Sequence, residues 1–260
     1  MTVHLEHRGA VALVTLDRPE RRNAVDHATL LEVAQVQLDV MAAGSRCLVL
    51  TGAPPAFCAG ADLEFFRGRL AEPDGCERFM AGLLRPLADF LARLRSSPRP
   101  VIAAVNGACA AGGVELVVCC DLIVAVTGAT FSDAHSRRGL VPAIGGAAGL
   151  VRSLGAHRAK QLMLLAQDWD APTLAACGLV ADVVPPAGLQ ARVDGLADTL
   201  AQRSPDSLAR LKELVHRAQD PPWEQLVEAD LADFRANWGS ADLREGVAAY
   251  AEHRDPRFPA

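Results

Sequence analysis

Apolar residues are spaced along this chain in two ways, in short runs that favour strands and at the intervals of amphipathic helices. Strands are predicted at 3–6 and 11–16, joined around Gly9 as a hairpin. After them, helices and short strands alternate, an order typical of an α/β core with parallel strand pairing. The predicted elements are helix 28–41, strand 47–50, helix 76–94, strand 101–105, helix 112–120, strand 122–126, helices 145–154 and 157–166, and strand 179–184.

The last part of the chain lacks strand patterns. Its amphipathic segments span residues 188–203, 206–218, 222–238 and 240–251. We therefore expect an α/β core with the functional site over residues 1–200 and a helical C-terminal region over residues 201–260. Because that region is short and amphipathic, it should pack on the core or on another subunit.

The composition is that of an ordinary globular protein. Of the 260 residues, 50% are hydrophobic and 22% are charged. The net charge of −5 gives no overall basic surface for a nucleic acid or an anionic membrane. The N-terminus mixes polar and apolar positions, unlike a signal peptide, and no apolar run approaches the length of a membrane span.

The cysteines and histidines indicate no metal site. The seven cysteines are odd in number, and none are spaced as Cys-x-x-Cys. This pattern favours reduced thiols in a cytoplasmic protein over disulfides or a metal framework. His4 and His7 lie three apart on a predicted strand and face opposite sides, so they are not expected to share a metal ion.

Two loops rich in small residues follow predicted strands, at 56–63 and 106–116. Small residues let a ligand approach the backbone closely, and a helix beginning in the second loop would present unpaired N–H groups. The N–H groups of Ala61 and Gly112 could therefore form an oxyanion hole. The alternative is that both loops are ordinary glycine-containing turns.

Motifs of nucleotide-binding proteins and serine hydrolases are missing from the sequence. Gly113-Val114 replaces the Lys-Ser/Thr pair of a phosphate-binding loop. No Gly-x-Gly-x-x-Gly opens a helix after the early strands, and no Gly-x-Ser-x-Gly is present. The sequence thus disfavours a dinucleotide site and a hydrolase nucleophile elbow.

Several segments, taken in order, resemble the signature of the enoyl-CoA hydratase/isomerase (crotonase) superfamily over essentially the whole chain. They are the two loops, Arg18-Pro19-Glu20-Arg21-Arg22-Asn23-Ala24, Gly139-Leu140-Val141-Pro142 with Gly145-Gly146, and Ala251-Glu252-His253-Arg254-Asp255-Pro256-Arg257-Phe258. The resemblance implies a crotonase-like spiral of repeated β-β-α units with a helical C-terminal part. It also implies a homotrimer or dimer of trimers, in which the C-terminal region covers a neighbour's site.

The resemblance implies an acyl-CoA substrate, with coenzyme A as part of that substrate and no permanently bound cofactor. The thioester oxygen would lie between the N–H groups of Ala61 and Gly112, which would stabilise an enolate. Ala59, Ala61, Asp62 and Leu63 would line the CoA arm. Asp62 is expected to hold the loop by hydrogen bonds rather than to transfer protons.

Arginines near both ends of the chain are candidates for the nucleotide end of CoA. Arg21 and Arg22, with Arg18, lie where the family's loop meets the nucleotide, although a solvated basic turn would have the same sequence. Arg254 and Phe258 are further candidates, from the C-terminus.

The candidate proton-transfer residues are Glu115 and His135. Hydratases of this family hold a water with two glutamates, and Glu115 matches the first of them. Counting from Phe131, the second acidic position falls on His135. A histidine titrates near neutrality, so Glu115 and His135 could form a base-and-acid pair. Alternatively, His135 is a polar wall of the pocket.

Asp133 lies two residues before His135. If residues 131–135 are extended, both side chains point to the same side, and pairing would raise the basicity of the histidine. We expect Asp133 to be an ordinary surface or capping residue, with this pairing as the alternative.

These residues favour an acyl-CoA lyase that hydrates a 2-enoyl-CoA to a 3-hydroxyacyl-CoA. An enoyl-CoA isomerase or an acyl-CoA decarboxylase on the same scaffold is the first alternative. An acyl-CoA-binding protein with little catalysis is the second. The intact loop glycines and Glu115 favour an enzyme.

Overall fold

The described strands of the protein form two sheets. The structure is a computed structural model that describes residues 1–42, 44–217 and 222–257. The strands are β1 (Val3–Arg8), β2 (Val11–Leu16), β3 (Cys47–Gly52), β4 (Ala56–Cys58), β5 (Val101–Val105), β6 (Ala108–Ala110), β7 (Leu122–Val126), β8 (Thr130–Ser132), β9 (Trp169–Asp170) and β10 (Asp182–Val184). The larger sheet has the order β1-β2-β3-β5-β7-β10 and the smaller sheet the order β4-β6-β8-β9.

Helices fill the intervals between strands and form the C-terminal part. They are α1 (His27–Ala42), α2 (Leu63–Leu70), α3 (Gly75–Phe79), α4 (Arg85–Arg95), α5 (Gly112–Val117), α6 (Gly146–Leu154), α7 (Ala156–Leu165), α8 (Ala171–Ala176), α9 (Leu189–Ala201), α10 (Pro205–Arg217), α11 (Trp223–Asn237) and α12 (Ala241–Ala251). A π-helical turn, Met80–Leu84, joins α3 to α4. Such turns are often found beside functional sites.

The chain moves repeatedly from the larger sheet to the smaller one and then into a helix. β3, β5 and β7 pair in parallel in the larger sheet, and each is followed by a short strand of the smaller sheet. Helices α2, α5 and α6 come after these short strands. The predicted α/β core with repeated β-β-α units is therefore confirmed.

Residues of the central strands alternate between two apolar clusters because successive side chains of a strand point to opposite faces. Val49 and Ile102 pack with Val193 of α9 on one face of the larger sheet. Leu48 and Val101 belong to the main core on the other face. Burial on both faces explains why these strands read as continuous apolar runs.

The structure differs from the sequence predictions mainly in short elements. β4, β6, β8 and β9 were not predicted, because two or three residues are too few for an alternating pattern. Helix α2 was also missed, although Asp62 is a capping residue directly before it. The helix predicted over 112–120 ends at Val117, and the strand predicted over 179–184 begins at Asp182.

The C-terminal helices pack on the core of their own chain. α11 contacts α4, and α12 contacts the helical turn Ser136–Arg138. On α10, Lys212 Nζ lies 2.7 Å from Asp121 Oδ2, next to the start of β7. Across the described ranges, no helix has the combination of length and apolarity needed to cross a membrane.

Candidate active site

The two loops that the sequence singles out meet through their backbones. Gly60 has a φ of 90°, and a Cβ atom there would lie 2.7 Å from Gly112 N. A Cβ atom on Gly112 would lie 3.6 Å from Ala61 N. The structure therefore brings the N–H groups of Ala61 and Gly112 to one place, although they are far apart in the sequence.

These two N–H groups have no acceptor within the described residues. Val25 N–H donates to Gly60 O and Asp62 N–H donates to Val25 O, at 2.8 and 2.9 Å, so the neighbours of Ala61 are satisfied while its own N–H is not. Gly112 is the first residue of α5, where helical N–H groups lack partners. Before it, Ala111 has a φ of 47°, a strained value for alanine.

Asp62 is a structural residue of the first loop. Its Oδ1 accepts from Glu64 N–H at 3.0 Å, which caps α2, and its Oδ2 accepts from Arg18 at 3.0 Å. Arg18 also pairs with Asp26. Arg18 therefore holds the loop in place through its ion pair with Asp62, which is buried.

The other predicted CoA contacts are only partly brought together. Ala59, Leu63 and Arg22 line a cavity of about 290 Å³ that also reaches Gly112. Arg21 is exposed and does not line it. Arg254 forms ion pairs with Glu245 and Glu252 and does not line the cavity either. Phe258 lies outside the described residues.

Glu115 is a buried carboxylate with one satisfied oxygen. Its Oε1 accepts from Ile144 N–H at 3.2 Å and from Gly146 N–H at 2.9 Å. Glycine is required at Gly146, because a Cβ atom there would lie 2.6 Å from Glu115 Cγ. Burial raises the pKa of Glu115, and the charge of His135 and the two backbone N–H groups offset this only in part.

His135 lies between two carboxylates. Its Nδ1 is 3.1 Å from Asp133 Oδ2, and its Nε2 is 3.9 Å from Glu115 Oε2. Burial by itself lowers the pKa of His135, but the hydrogen bond and charge of Asp133, with the charge of Glu115, outweigh burial and raise that pKa. The second carboxylate oxygen of Glu115 (Oε2) and the second ring nitrogen of His135 (Nε2) thus face each other at the cavity wall.

The expectation that Asp133 is a surface or capping residue is wrong. Asp133 is 2% exposed and paired with His135. The segment is not extended either: Ala134 has a φ of 58°, and His135 has helical backbone angles. The turn, rather than strand alternation, brings the two side chains together.

Sequence reasoning missed Asp230 of α11. Its Oδ2 accepts from Gly145 N–H at 2.9 Å, between the two residues that donate to Glu115. Burial, followed by the charge of Glu115, raises the pKa of Asp230 to about 7. One aspartate in an amphipathic helix gives no sequence signal of such a contact.

Aromatic and aliphatic side chains form the apolar part of the cavity. Phe66 and Phe79 pack edge to face at 4.9 Å, and Phe79 stacks on Phe234 of α11 at 5.9 Å. Helix α11 thus lines the cavity of its own chain, and the expectation that the C-terminal region covers a neighbour's site stays a prediction. The apolar lining also includes Leu84, Leu87, Leu140, Val141 and Ile144.

Known proteins are similar to this chain in sequence and in fold over nearly their full length. The profile described as "Enoyl-CoA hydratase/isomerase" matches residues 6–260. The chain is 34% identical over 258 residues to a "Probable enoyl-CoA hydratase" of Rhodobacter capsulatus, covering 99% of this chain and 97% of the relative. It is 36% identical over 267 residues to the 1,2-epoxyphenylacetyl-CoA isomerase of Escherichia coli, covering 98% and 96%.

A solved structure extends the similarity to a third reaction. A methylmalonyl-CoA decarboxylase in complex with 2-nitronate-propionyl-CoA superposes with a TM-score of 0.86 at 25% identity, covering 100% of this chain and 99% of the other. The profile, the relatives and the solved structure agree on one family. The chain belongs to the enoyl-CoA hydratase/isomerase family, the crotonase superfamily.

Proposed function

We propose that the protein hydrates a 2-enoyl-CoA to a 3-hydroxyacyl-CoA by way of a thioester enolate. The observation that carries this proposal is the meeting of the backbone N–H groups of Ala61 and Gly112, which have no acceptor among the described residues, beside the facing pair of Glu115 and His135. Substrates with a CoA thioester are typical of the family to which the chain belongs.

The two N–H groups would hold the thioester oxygen. When a nucleophile adds to the β-carbon, the electrons of the double bond move onto this oxygen as an enolate. Preorganised donors stabilise that charge, and one such donor is worth about 3–4 kcal/mol of barrier. The free N–H groups of Ala61 and Gly112 suit this role because no group of the described chain competes for them.

Glu115 and His135 would divide the elements of water between the two carbons. Glu115 takes a proton from water as the oxygen bonds to the β-carbon, and protonated His135 gives its proton to the α-carbon as the enolate collapses. The proton on Glu115 then returns to His135 across the gap of 3.9 Å. The raised pKa values of Glu115 and His135 suit a base and an acid that work near neutrality.

The loop around Asp62 would bind the CoA arm. Ala59, Ala61 and Leu63 present small or apolar surface to the cavity, and Arg22 adds a positive charge for a phosphate. Asp62 itself would contribute only by fixing the loop, because its oxygens are engaged by Arg18 and the start of α2.

Isomerisation or decarboxylation is the second candidate function. The observation that favours it is the histidine in place of a second glutamate, together with similarity to an isomerase and a decarboxylase. Both reactions need the enolate but no added water. In that case His135 would shuttle the α-proton or line the pocket.

The decisive experiment supplies the protein with three substrates and identifies the products by mass spectrometry. Conversion of crotonyl-CoA to 3-hydroxybutyryl-CoA supports hydration. Migration of the double bond in a 3-enoyl-CoA, or release of carbon dioxide from methylmalonyl-CoA without hydration of crotonyl-CoA, assigns the second function. Binding of acyl-CoA without any turnover would leave a binding protein.

The proposal includes assembly into a trimer or a dimer of trimers. It is supported by Leu211, Leu214 and Val215 on α10, whose exposures of 57%, 60% and 60% leave an apolar stripe uncovered. Light scattering coupled to gel filtration measures the mass. A monomer at micromolar concentration would contradict this part of the proposal.

A further inference from the structure

The loop formed by residues 144–146 is held from both sides by carboxylates. Its outer N–H groups, from Ile144 and Gly146, donate to Glu115. Its middle N–H group, from Gly145, donates to Asp230 at 2.9 Å. Consecutive N–H groups of the loop thus donate alternately to Glu115 of α5 and to Asp230 of α11.

The backbone of Gly145 makes this alternation possible. Its φ of 100° is a conformation that side chains rarely adopt, and it turns the middle N–H away from its neighbours. A Cβ atom at Gly145 would also lie 2.4 Å from the ring of Trp223. Helix α11 therefore contacts the loop at two points, by packing of Trp223 and by the hydrogen bond of Asp230.

We propose that Asp230 is a positioning residue of the active site, which fixes the loop whose other N–H groups hold the Glu115 carboxylate. The side chain of Asp230 does not need to touch the substrate for this role. The inference rests on the proposed function, because it matters for catalysis only if Glu115 is the base.

The electrostatics of the surrounding groups agree with this geometry. The charged groups that act on Asp230 are Glu115 of α5, His135 after β8, and Asp233 on the same helix. Those that act on Glu115 are His135 and Asp133. The charge of Glu115 thus helps to raise the pKa of Asp230, whereas Asp230 is not among the charges that act on Glu115.

Two substitutions separate the hydrogen bond from the charge. Asp230→Asn keeps an oxygen that can accept from Gly145 N–H but removes the charge. Asp230→Ala removes both. We expect Asp230→Ala to lower kcat on crotonyl-CoA on the order of tenfold, with KM changed less than about twofold, since the loop no longer fixes the base. Asp230→Asn should keep most of kcat, because its amide oxygen can still accept from Gly145 N–H.

Asp233→Asn is the matched control. Asp233 is exposed and lies on the same helix, so its loss should leave kcat near the wild-type value. A purely structural role for Asp230 would lower the thermal midpoint and leave kcat and the pH profile of the folded enzyme unchanged. That result, or equal losses of kcat in Asp230→Ala and Asp233→Asn, would overturn the inference.

A measurement without substrate separates this inference from the proposed function. The carboxyl carbon of Glu115 can be titrated by 13C NMR in the full-length protein, with Glu115→Gln to assign its signal. The N–H groups of Ile144 and Gly146 lower the pKa of Glu115, so a higher pKa of Glu115 in Asp230→Ala than in Asp230→Asn supports the inference. This holds even if crotonyl-CoA is not turned over, an outcome that would reject only the proposed function. An unchanged titration of Glu115 in Asp230→Ala would reject the role of Asp230. If Asp230→Ala does not fold, Asp230→Leu, which has a side chain of similar size without an acceptor, allows the same decision.

Discussion

Asp133 Oδ2 lies 3.1 Å from His135 Nδ1, and this contact leaves the Nε2 atom of the same ring to face Glu115. A carboxylate on one nitrogen fixes the orientation of an imidazole and the position of its proton. Because Asp133 is buried, its charge acts on His135 with little screening from solvent. His135, which stands where the family's second glutamate is expected, is thus paired with Asp133.

The pH dependence of turnover should respond to Asp133→Asn. In the proposed mechanism the protonated form of His135 is active, and Asp133 raises the pKa of His135. Without that charge the active form is lost at a lower pH, so the basic limb of the kcat/KM profile should move to lower pH. The carboxylate of Asp182 pairs with Arg192 at the surface, and Asp182→Asn serves as control. A basic limb that stays in place would show that His135 is not the titrating acid.

Glu115→Gln should nearly abolish turnover while the protein still binds acyl-CoA. The amide oxygen can accept from Ile144 and Gly146 N–H, but the side chain cannot take a proton from water. The loss of kcat should be on the order of 10²–10⁴, as for removal of a general base. Calorimetry with butyryl-CoA tests whether affinity is kept. Substantial hydration of crotonyl-CoA by this variant would exclude Glu115 as the base.

Two substitutions at His135 should each change hydration less than Glu115→Gln does, and in opposite directions from one another. His135→Ala should lower hydration of crotonyl-CoA only in part, because the enolate would still be stabilised and water can supply the α-proton. His135→Glu should increase hydration, since it restores the two-carboxylate arrangement typical of hydratases in the family. Initial rates measured from the loss of enoyl absorbance decide both points. Full activity in His135→Ala would remove this residue from the mechanism. No gain in His135→Glu would count against the match of position 135 to the family's second glutamate.

Gly112→Ala should block the oxyanion hole without unfolding the protein. The new Cβ atom would lie 3.2 Å from Gly60 Cα and 3.6 Å from Ala61 N, in the space proposed for the thioester oxygen. Because Gly112 is the first residue of α5 and is not among the glycines with a positive φ, alanine is compatible with its backbone conformation. We expect kcat to fall by about 10²–10³. Wild-type turnover in this variant would show that the thioester binds elsewhere.

Gly195→Ala is the matched control for that variant. Gly195 lies within α9, and a Cβ atom there would meet no atom within 4 Å. Activity should therefore be unchanged. Thermal denaturation should show a stabilisation of about 0.5–1 kcal/mol, because alanine loses less backbone entropy than glycine in a helix.

The sequence by itself determined the order of the strands of the larger sheet and of most helices, because buried runs such as Val101–Val105 and amphipathic helices leave periodic patterns in the chain. It also determined the two small-residue loops, Glu115 and the histidine at position 135, since these depend on residue type and local order. Elements of two or three residues left no such pattern.

Only the tertiary structure decided which of these residues meet. Gly60 meets Gly112, and Asp230 contacts Gly145, although these residues are distant in sequence. Asp133 is buried because the chain turns directly after it. Such contacts depend on how α11 and the 144–146 loop pack on the core, and packing leaves no periodic signal in any one segment. The physical reason is that hydrophobic periodicity indicates only whether a segment is buried or exposed. The pKa and orientation of a catalytic side chain instead depend on a few polar atoms that other segments bring to it.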